Sequence, residues 1–260
     1  MRSPYRLPTL SLGVLPIWRR NLLVWYQIAT GSLLANFLDP LLYLLALGYG
    51  LGALLPSISG MPYIHFLAGG MLAFSVMNTA TLEALYSVFT RIDYQKTWDA
   101  ILHTPLSLDD ILIAELLWAG TKALFSTGAI VVVIALLGIA HHAMLLFLFP
   151  FLFLAALSFA ALALNITMLA KTYDFFLYYF SLVATPMALV SGVFFPLDRL
   201  PDFLQRLAMI LPLTHVVMVS RPIVNGIWPK DWFLHALVLV VYLLFGLYGA
   251  LVLARKRLET

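Results

Sequence analysis

The chain has 260 residues, of which 63% are hydrophobic and 10% are charged, with a formal net charge of +3 at pH 7. A soluble globular domain has about 45–50% apolar and about 25% charged residues, so this composition excludes that class. No basic run is long enough to follow a nucleic-acid backbone, and the lack of cysteine excludes disulfides and thiolate metal sites. The composition therefore predicts an integral membrane protein.

The chain begins with a segment that mixes apolar and basic residues. Residues 1–27 contain Arg19 and Arg20 together with Trp18 and Trp25. This mixture is typical of an amphipathic helix that lies in the membrane interface, where tryptophan and basic side chains are both favourable. We therefore predict an interfacial helix here, with its basic side toward the lipid headgroups.

Long stretches without Asp, Glu, Lys or Arg follow. A helix needs about 20 apolar residues to cross the hydrocarbon core. The uncharged stretches 40–82 and 123–170 are each long enough for two crossings, and 175–197 and 232–254 for one each. The sequence thus predicts an all-α membrane protein with six transmembrane helices in one permease domain, residues 1–260. The predicted spans are 28–51, 63–89, 111–137, 144–169, 175–195 and 232–253.

A polar stretch of mixed charge, RIDYQKTWDAILHTPLSLDD, occupies residues 91–110. Trp98 lies in a short amphipathic turn of this stretch, a combination that favours docking to a soluble partner; a solvated connector is the alternative. Ser107, followed by Asp109 and Asp110, predicts the start of the third span, because a capping hydroxyl and acidic residues are favourable at a helix N-terminus.

Between the fifth and sixth predicted spans, residues 196–231 contain two short apolar pieces separated by Pro212. Neither piece is long enough to cross the membrane. We predict a re-entrant hairpin on the external side, in which two half-helices dip into the membrane or lie on it.

The distribution of Lys and Arg predicts the orientation of the chain, because basic residues are retained on the cytoplasmic side. With the N-terminus inside, ten basic residues are cytoplasmic: Arg2, Arg6, Arg19, Arg20, Arg91, Lys96, Lys171, Arg255, Lys256 and Arg257. Four fall on the opposite side: Arg199, Arg206, Arg221 and Lys230. Both termini are therefore expected in the cytoplasm.

Asp39, Glu115 and Lys122 fall within the predicted spans. A charged group at the centre of a membrane helix costs at least about 2.5–3.5 kcal/mol, so such groups face protein or water and often mark a transport path. Glu115 and Lys122 lie two turns apart on one helix face, too distant for direct contact, so we expect each to pair with another helix. The candidate partners of Lys122 are Asp39 and Glu115. A structural polar network and a substrate path are both open.

The sequence gives no sign of an enzyme. A phosphate-binding loop requires G-x-x-x-x-G-K-[ST], and the chain has no Gly-Lys dipeptide. A G-x-S-x-G nucleophile elbow is also missing. We expect no catalytic, cofactor or metal site on this chain. If ATP drives the protein, a partner chain must bind ATP and Mg²⁺ and carry out the hydrolysis.

Two groups of motifs resemble a known family. The segments Ser191-Gly-Val-Phe-Phe-Pro196 and Leu211-Pro-Leu-Thr-His215, followed by Arg221, resemble the signature of ABC-2-type export permeases. The segments Thr97-Trp-Asp99 and Leu102-His-Thr-Pro105 resemble that family's cytoplasmic loop. The resemblance covers nearly the whole chain. It is strongest to the NodJ-type branch, which exports nodulation lipo-oligosaccharides; wider relatives move O-antigen or teichoic-acid polymers, or drugs.

This resemblance implies a homodimer of six-helix subunits in the bacterial inner membrane that binds two copies of a separate ATPase. It implies a substrate path at the dimer interface and an ATPase contact through the short helix after the second span, with a smaller contact at the turn after the fourth. The residues implied in ATPase coupling are Arg91, Asp93, Lys96, Trp98, Asp99, Lys171 and Asp174.

The predicted function is export of an amphiphilic glycolipid or lipo-oligosaccharide across the inner membrane, driven by the separate ATPase. Export of hydrophobic drugs or natural products is the alternative within the family. A proton-coupled secondary transporter, with Asp39, Glu115 and Lys122 as a relay, is the alternative from another class. The lack of a visible inverted repeat in the sequence argues against the secondary transporter.

Overall fold

The computed structural model describes residues 4–9, 11–55, 57–58 and 60–258. The side chains of residues 32–33, 35–37 and 39–40 are not among the described parts, so the Asp39 side chain lies outside the described residues. The α-helices in chain order are α1 (Val14–Tyr26), α2 (Ala29–Leu54), α3 (Tyr63–Leu82), α4 (Thr97–Leu102), α5 (Leu108–Leu136), α6 (Leu145–Leu169), α7 (Asp174–Tyr179), α8 (Thr185–Val190), α9 (Asp202–Ala208), α10 (Pro212–Val224) and α11 (Trp232–Leu258).

Short irregular elements connect these helices. Strands β1 (Ser57–Ile58) and β2 (Met61–Pro62) form an antiparallel hairpin in which Ile58 pairs with Met61. A 3₁₀ turn covers Leu197–Arg199. Turns of π-helix cover Glu83–Ser87, Thr90–Tyr94 and Phe180–Ala184.

Three of the described helices, α5, α6 and α11, are long and apolar enough to cross a membrane. The sequence predicted six such crossings. Helix α3 has sufficient length at 20 residues, but its Gly, Ser, Asn and Thr residues lower its hydropathy. The predicted fifth span is a shorter apolar helix over Asp174–Val190, with a π turn in its middle. The six-span count therefore stays a prediction.

The predicted N-terminal segment and the predicted hairpin segment 196–231 both contain helices. Residues Val14, Ile17, Asn21 and Trp25 are buried, and their spacing of three or four places them on one face of α1. That face packs on α5. In the 196–231 segment, α9 and α10 meet at an angle of 87° where the chain breaks before Pro212.

The start of α5 is confirmed at the predicted residues. The Ser107 hydroxyl accepts a hydrogen bond from the Asp110 backbone N–H at 3.1 Å, and the Asp110 carboxylate accepts one from the Ser107 backbone N–H at 3.0 Å. This reciprocal arrangement is a capping box. It fixes where the polar 91–110 segment ends and the long apolar helix begins.

Helices α6 and α11 form a closely packed pair. A Cβ added to Gly246 of α11 would lie 2.9 Å from the α6 backbone, so glycine permits this approach. Asn165 Nδ2 of α6 donates to the Gly246 carbonyl at 2.8 Å, and Ser158 Oγ donates to the Leu239 carbonyl at 2.8 Å. These side chain–backbone bonds hold the two helices along their length.

Candidate functional site

The first part of the candidate site is a carboxylate that the sequence analysis overlooked, Glu83, at the start of the π turn after α3. Its side chain is buried. One oxygen accepts from Arg91 Nη2 at 2.6 Å and from Trp118 Nε1 at 2.9 Å. The other accepts from Lys122 Nζ at 2.6 Å and from Ser87 Oγ at 2.8 Å. Four donors therefore satisfy this buried charge, as burial of a carboxylate requires.

Glu115 of α5 is a second buried carboxylate close by. It forms an ion pair with Arg91 Nη1 and accepts a hydrogen bond from Asn21 Nδ2 at 3.0 Å. Trp98 Nε1 lies 3.4 Å from its other oxygen. Arg91 thus bridges the Glu83 and Glu115 carboxylates. We call Glu83, Arg91, Glu115 and Lys122 the buried ion network.

The π turns explain why residues of one segment converge on this point. Glu83, Ser87 and Arg91 follow each other at spacings of four residues. A π-helix has more than four residues per turn, so this spacing aligns side chains along one face more closely than an α-helix would. The two carboxylates and two cations balance in formal charge, which lowers the cost of burying them together.

The structure identifies the partner of Lys122, for which Asp39 and Glu115 were the predicted candidates. Lys122 pairs with Glu83, and Glu115 pairs with Arg91 instead. A carboxylate on a neighbouring segment was the expected type of partner, but the residue differs. One signal could have revealed it, since Glu83 is the only acidic residue within the predicted span 63–89.

Trp98 does not have the surface position that a docking anchor needs. Its side chain is 0% exposed and belongs to the hydrophobic core of the chain. Trp98 therefore points from α4 into the protein interior and contacts Glu115, so it is not available to another protein. The surface of the segment is formed instead by Tyr94, Lys96 and Asp99, which are exposed.

The other residues implied in ATPase coupling lie near this surface. Asp93 binds Arg257 Nη2 at 2.6 Å. Lys171 and Asp174 are exposed and line a surface pocket of about 430 Å³. The turn that contains them is joined to the first segment through Tyr173, whose ring stacks on Tyr94 with 5.2 Å between centroids. The two predicted coupling segments are therefore neighbours in space.

A second buried ion pair fixes the chain ends on this side of the molecule. Arg255 and Asp109 are both 0% exposed and form a bidentate pair, in which Nη2 lies 2.8 Å from Oδ2 and Nε lies 3.1 Å from Oδ1. Asp109 also accepts from the Thr9 backbone N–H at 3.0 Å, and Arg255 Nη1 donates to the Pro4 carbonyl at 3.0 Å. The N-terminal residues, the start of α5 and the end of α11 thus meet at one place.

The charged groups of this region form a network of ion pairs. Its carboxylates are held by cations and N–H donors. Among the described residues, no three His, Asp or Glu side chains are grouped so as to hold a metal ion. The network joins α1, the end of α3, α4 and α5 through side-chain contacts.

Comparison with known proteins identifies the family. Residues 14–224 match the family described as ABC-2 type transporter. Nodulation protein J of Rhizobium meliloti (strain 1021) is 42% identical over 252 residues, 97% of this chain and 96% of that protein. Nodulation protein J of Rhizobium leguminosarum bv. viciae is 41% identical over 252 residues, 97% of each chain.

A more distant relative is a transport protein of another bacterium. The inner membrane transport permease YadH of Escherichia coli (strain K12) is 25% identical over 206 residues, 79% of this chain and 80% of that protein. Together with the apolar helices and the family match, these similarities show that the chain belongs to the ABC-2 type transporter family and is a transmembrane permease.

Proposed function

We propose that this chain is the transmembrane subunit of an exporter that moves an amphiphilic glycolipid or lipo-oligosaccharide outward across the bacterial inner membrane. A separate ATPase, bound in two copies to a homodimer of this chain, supplies the energy. The observation that carries the proposal is the position of α4, which is exposed on its outer side and connected on its inner side to the buried ion network. The cargo is proposed from the similarity to the nodulation J proteins.

Two exposed segments favour an ATPase contact on this side. Tyr94, Lys96 and Asp99 provide one aromatic ring and both charge signs. Lys171 and Asp174, beside the pocket of about 430 Å³, provide a second contact next to the first. Protein interfaces are enriched in aromatic residues and are surrounded by a polar rim.

The buried ion network explains how such a contact would move the membrane helices. A push on α4 displaces Trp98, which packs against Glu115 of α5. Glu115 is bound through Arg91 to Glu83 at the end of α3. Breaking a buried ion pair costs about 3–5 kcal/mol, so α3 and α5 follow the displacement more readily than they separate.

The proposed topology has six crossings, with residues 196–231 as an external re-entrant hairpin and both termini in the cytoplasm. The bond from Arg255 Nη1 to the Pro4 carbonyl supports it, because the two chain ends then lie on one side, as an even number of crossings requires. The pair of Asp93 and Arg257 brings the 91–110 segment to that side as well. The 87° bend between α9 and α10 agrees with a hairpin.

The experiment is co-purification of the tagged permease with an ATP-binding-cassette ATPase from its source cells, followed by reconstitution in liposomes. Lipo-oligosaccharide is expected to stimulate ATP hydrolysis. Lys96→Glu should weaken ATPase retention. Arg206→Glu, which reverses an exposed charge in the predicted external hairpin, should not. Stimulation by hydrophobic drugs and not by the glycolipid would overturn the proposed cargo, and a permease that retains no ATPase would overturn the proposed mechanism.

A further inference from the structure

Two arginines at the end of α11 reach opposite sides of the helix. Arg255 and Arg257 are two residues apart, which on an α-helix of 3.6 residues per turn separates them by about 200°. Arg255 contacts Asp109 in the first turn of α5 and the backbone of Pro4. Arg257 faces the end of α6 and the π turn at Thr90–Tyr94.

Arg257 joins three different elements. Its Nη1 donates to the carbonyls of Thr167 at 2.8 Å and Met168 at 3.2 Å, in the last turn of α6, where a cation is favourable. Its Nη2 lies 2.6 Å from Asp93 Oδ2. The guanidinium carbon also lies 5.9 Å from the centre of the Phe89 ring. One side chain therefore connects the segment before α4 with the ends of α6 and α11.

The two arginine pairs differ in burial. The Asp109–Arg255 pair is fully buried, so its loss leaves an uncompensated charge inside the protein. In the Asp93–Arg257 pair the side chains are 32% and 22% exposed, so water can solvate either charge when the other is removed. Arg255 thus anchors α11, whereas the contact of Arg257 can be removed while the fold persists.

We infer that Arg257 is a positioning residue for transport, which transmits displacement of residues 90–102 to the α6–α11 pair through Asp93. This inference rests on the proposed function, in which an ATPase displaces that segment. The buried ion network delivers the displacement to α3 and α5. Arg257 delivers it to α6 and α11, which move together because side chains of α6 are hydrogen-bonded to backbone carbonyls of α11.

The first test uses the permease with its ATPase and measures amide hydrogen exchange with and without ATP and vanadate. In the unmodified protein, exchange should change at residues 108–116, 163–169 and 250–258. Arg257→Gln should keep ATPase binding and the response at 108–116. It should lose the response at 163–169 and 250–258, and transport should fall about tenfold. Lys256→Gln, which removes a charge from the same turn at an exposed position, should behave like the unmodified protein.

The second test needs no ATPase. Trp98→Phe removes the indole N–H contact with Glu115 and so weakens the attachment of residues 90–102. It should raise hydrogen exchange at 163–169 and 250–258 in the permease alone. The same substitution in an Arg257→Gln background should leave exchange there unchanged. An equal effect in both backgrounds would overturn the inference, even if no ATPase is found. Failure of the unmodified protein to retain an ATPase would instead count against the proposed function.

Discussion

Lys122 of α5 and Glu83 at the end of α3 form an ion pair, with 2.6 Å between Nζ and Oε2, although they are 39 residues apart in the sequence. The carboxylate is buried and the lysine side chain is 24% exposed. Arg91 binds the other oxygen of Glu83, so this carboxylate holds two cations at once. The stability of the region should therefore depend more on Glu83 than on either cation.

This dependence can be tested with a double-mutant cycle. Glu83→Gln should lower the free energy of unfolding by about 3–5 kcal/mol, because Lys122 and part of Arg91 are left without a counter-ion. Lys122→Met should cost less, because Glu83 keeps Arg91. The loss of unfolding free energy in the double variant should be smaller than the sum of the two single losses, by about 0.5–3 kcal/mol. Denaturant unfolding in mixed micelles measures all three values, and strict additivity would contradict the pairing.

Trp98 should act through packing and not through direct contact with the ATPase. Trp98→Ala removes a fully buried indole, and should lower the free energy of unfolding by about 3–5 kcal/mol and reduce the yield of folded protein. Trp98→Phe keeps most of the volume and loses only the N–H toward Glu115, at a cost of about 1 kcal/mol.

Substitution of an exposed residue in the 91–110 segment should affect ATPase binding more than stability. Tyr94→Ala should weaken ATPase retention, because Tyr94 is 64% exposed. It also loses the stacking contact with Tyr173, so the free energy of unfolding should fall by about 1 kcal/mol, much less than for Trp98→Ala. The measurements are thermal unfolding in detergent and co-purification of the ATPase with each variant. A Trp98→Ala protein with normal stability but no ATPase binding would support the surface anchor and contradict the buried role.

Loss of either member of the Asp109–Arg255 pair should strongly destabilise the fold. Arg255→Met leaves the Asp109 carboxylate buried with only the Thr9 donors, so the free energy of unfolding should fall by about 3–5 kcal/mol. Lys256→Gln is the matched control, because it removes a charge from the same helical turn at an exposed site. Equal stability of the two variants, compared by denaturant unfolding, would show that the Asp109–Arg255 pair does not stabilise the fold.

The purified chain should not hydrolyse ATP. It has no Gly-Lys dipeptide, and therefore none of the loops that hold phosphates through a G-K-[ST] sequence. A coupled assay of phosphate release, with the permease alone and then with its ATPase, measures this directly. Turnover by a preparation that contains no other polypeptide would contradict the division of labour between two chains.

Both termini should be cytoplasmic. The contact of Arg255 with the Pro4 carbonyl places them on one side, and the excess of basic residues assigns that side to the cytoplasm. Fusions of alkaline phosphatase, which is active only in the periplasm, should be inactive at either end, and fluorescent-protein fusions should be bright. A phosphatase-active fusion at one end alone would require an odd number of crossings.

Several features of this protein follow from local sequence and composition. The charge-free stretches predict a membrane protein, and three of the described helices have the expected length and apolar character. The capping box at Ser107 and the helix around Trp98 also follow from neighbouring residues, because caps and helical faces depend only on residues within a few positions. The crossing count follows less directly from the sequence, because α3 contains Gly, Ser, Asn and Thr residues that lower its hydropathy.

Only the tertiary structure decided which charges meet. The sequence placed Glu115 and Lys122 on one helix face, but it could not say that Glu83 and Arg91 lie opposite them. It likewise marked Trp98 as a candidate anchor, whereas the packing of α4 on α5 buries this side chain completely. Helical periodicity defines the direction of a side chain relative to its own axis. The neighbour that it contacts depends on how separate helices pack, which is set by contacts between residues far apart in the chain.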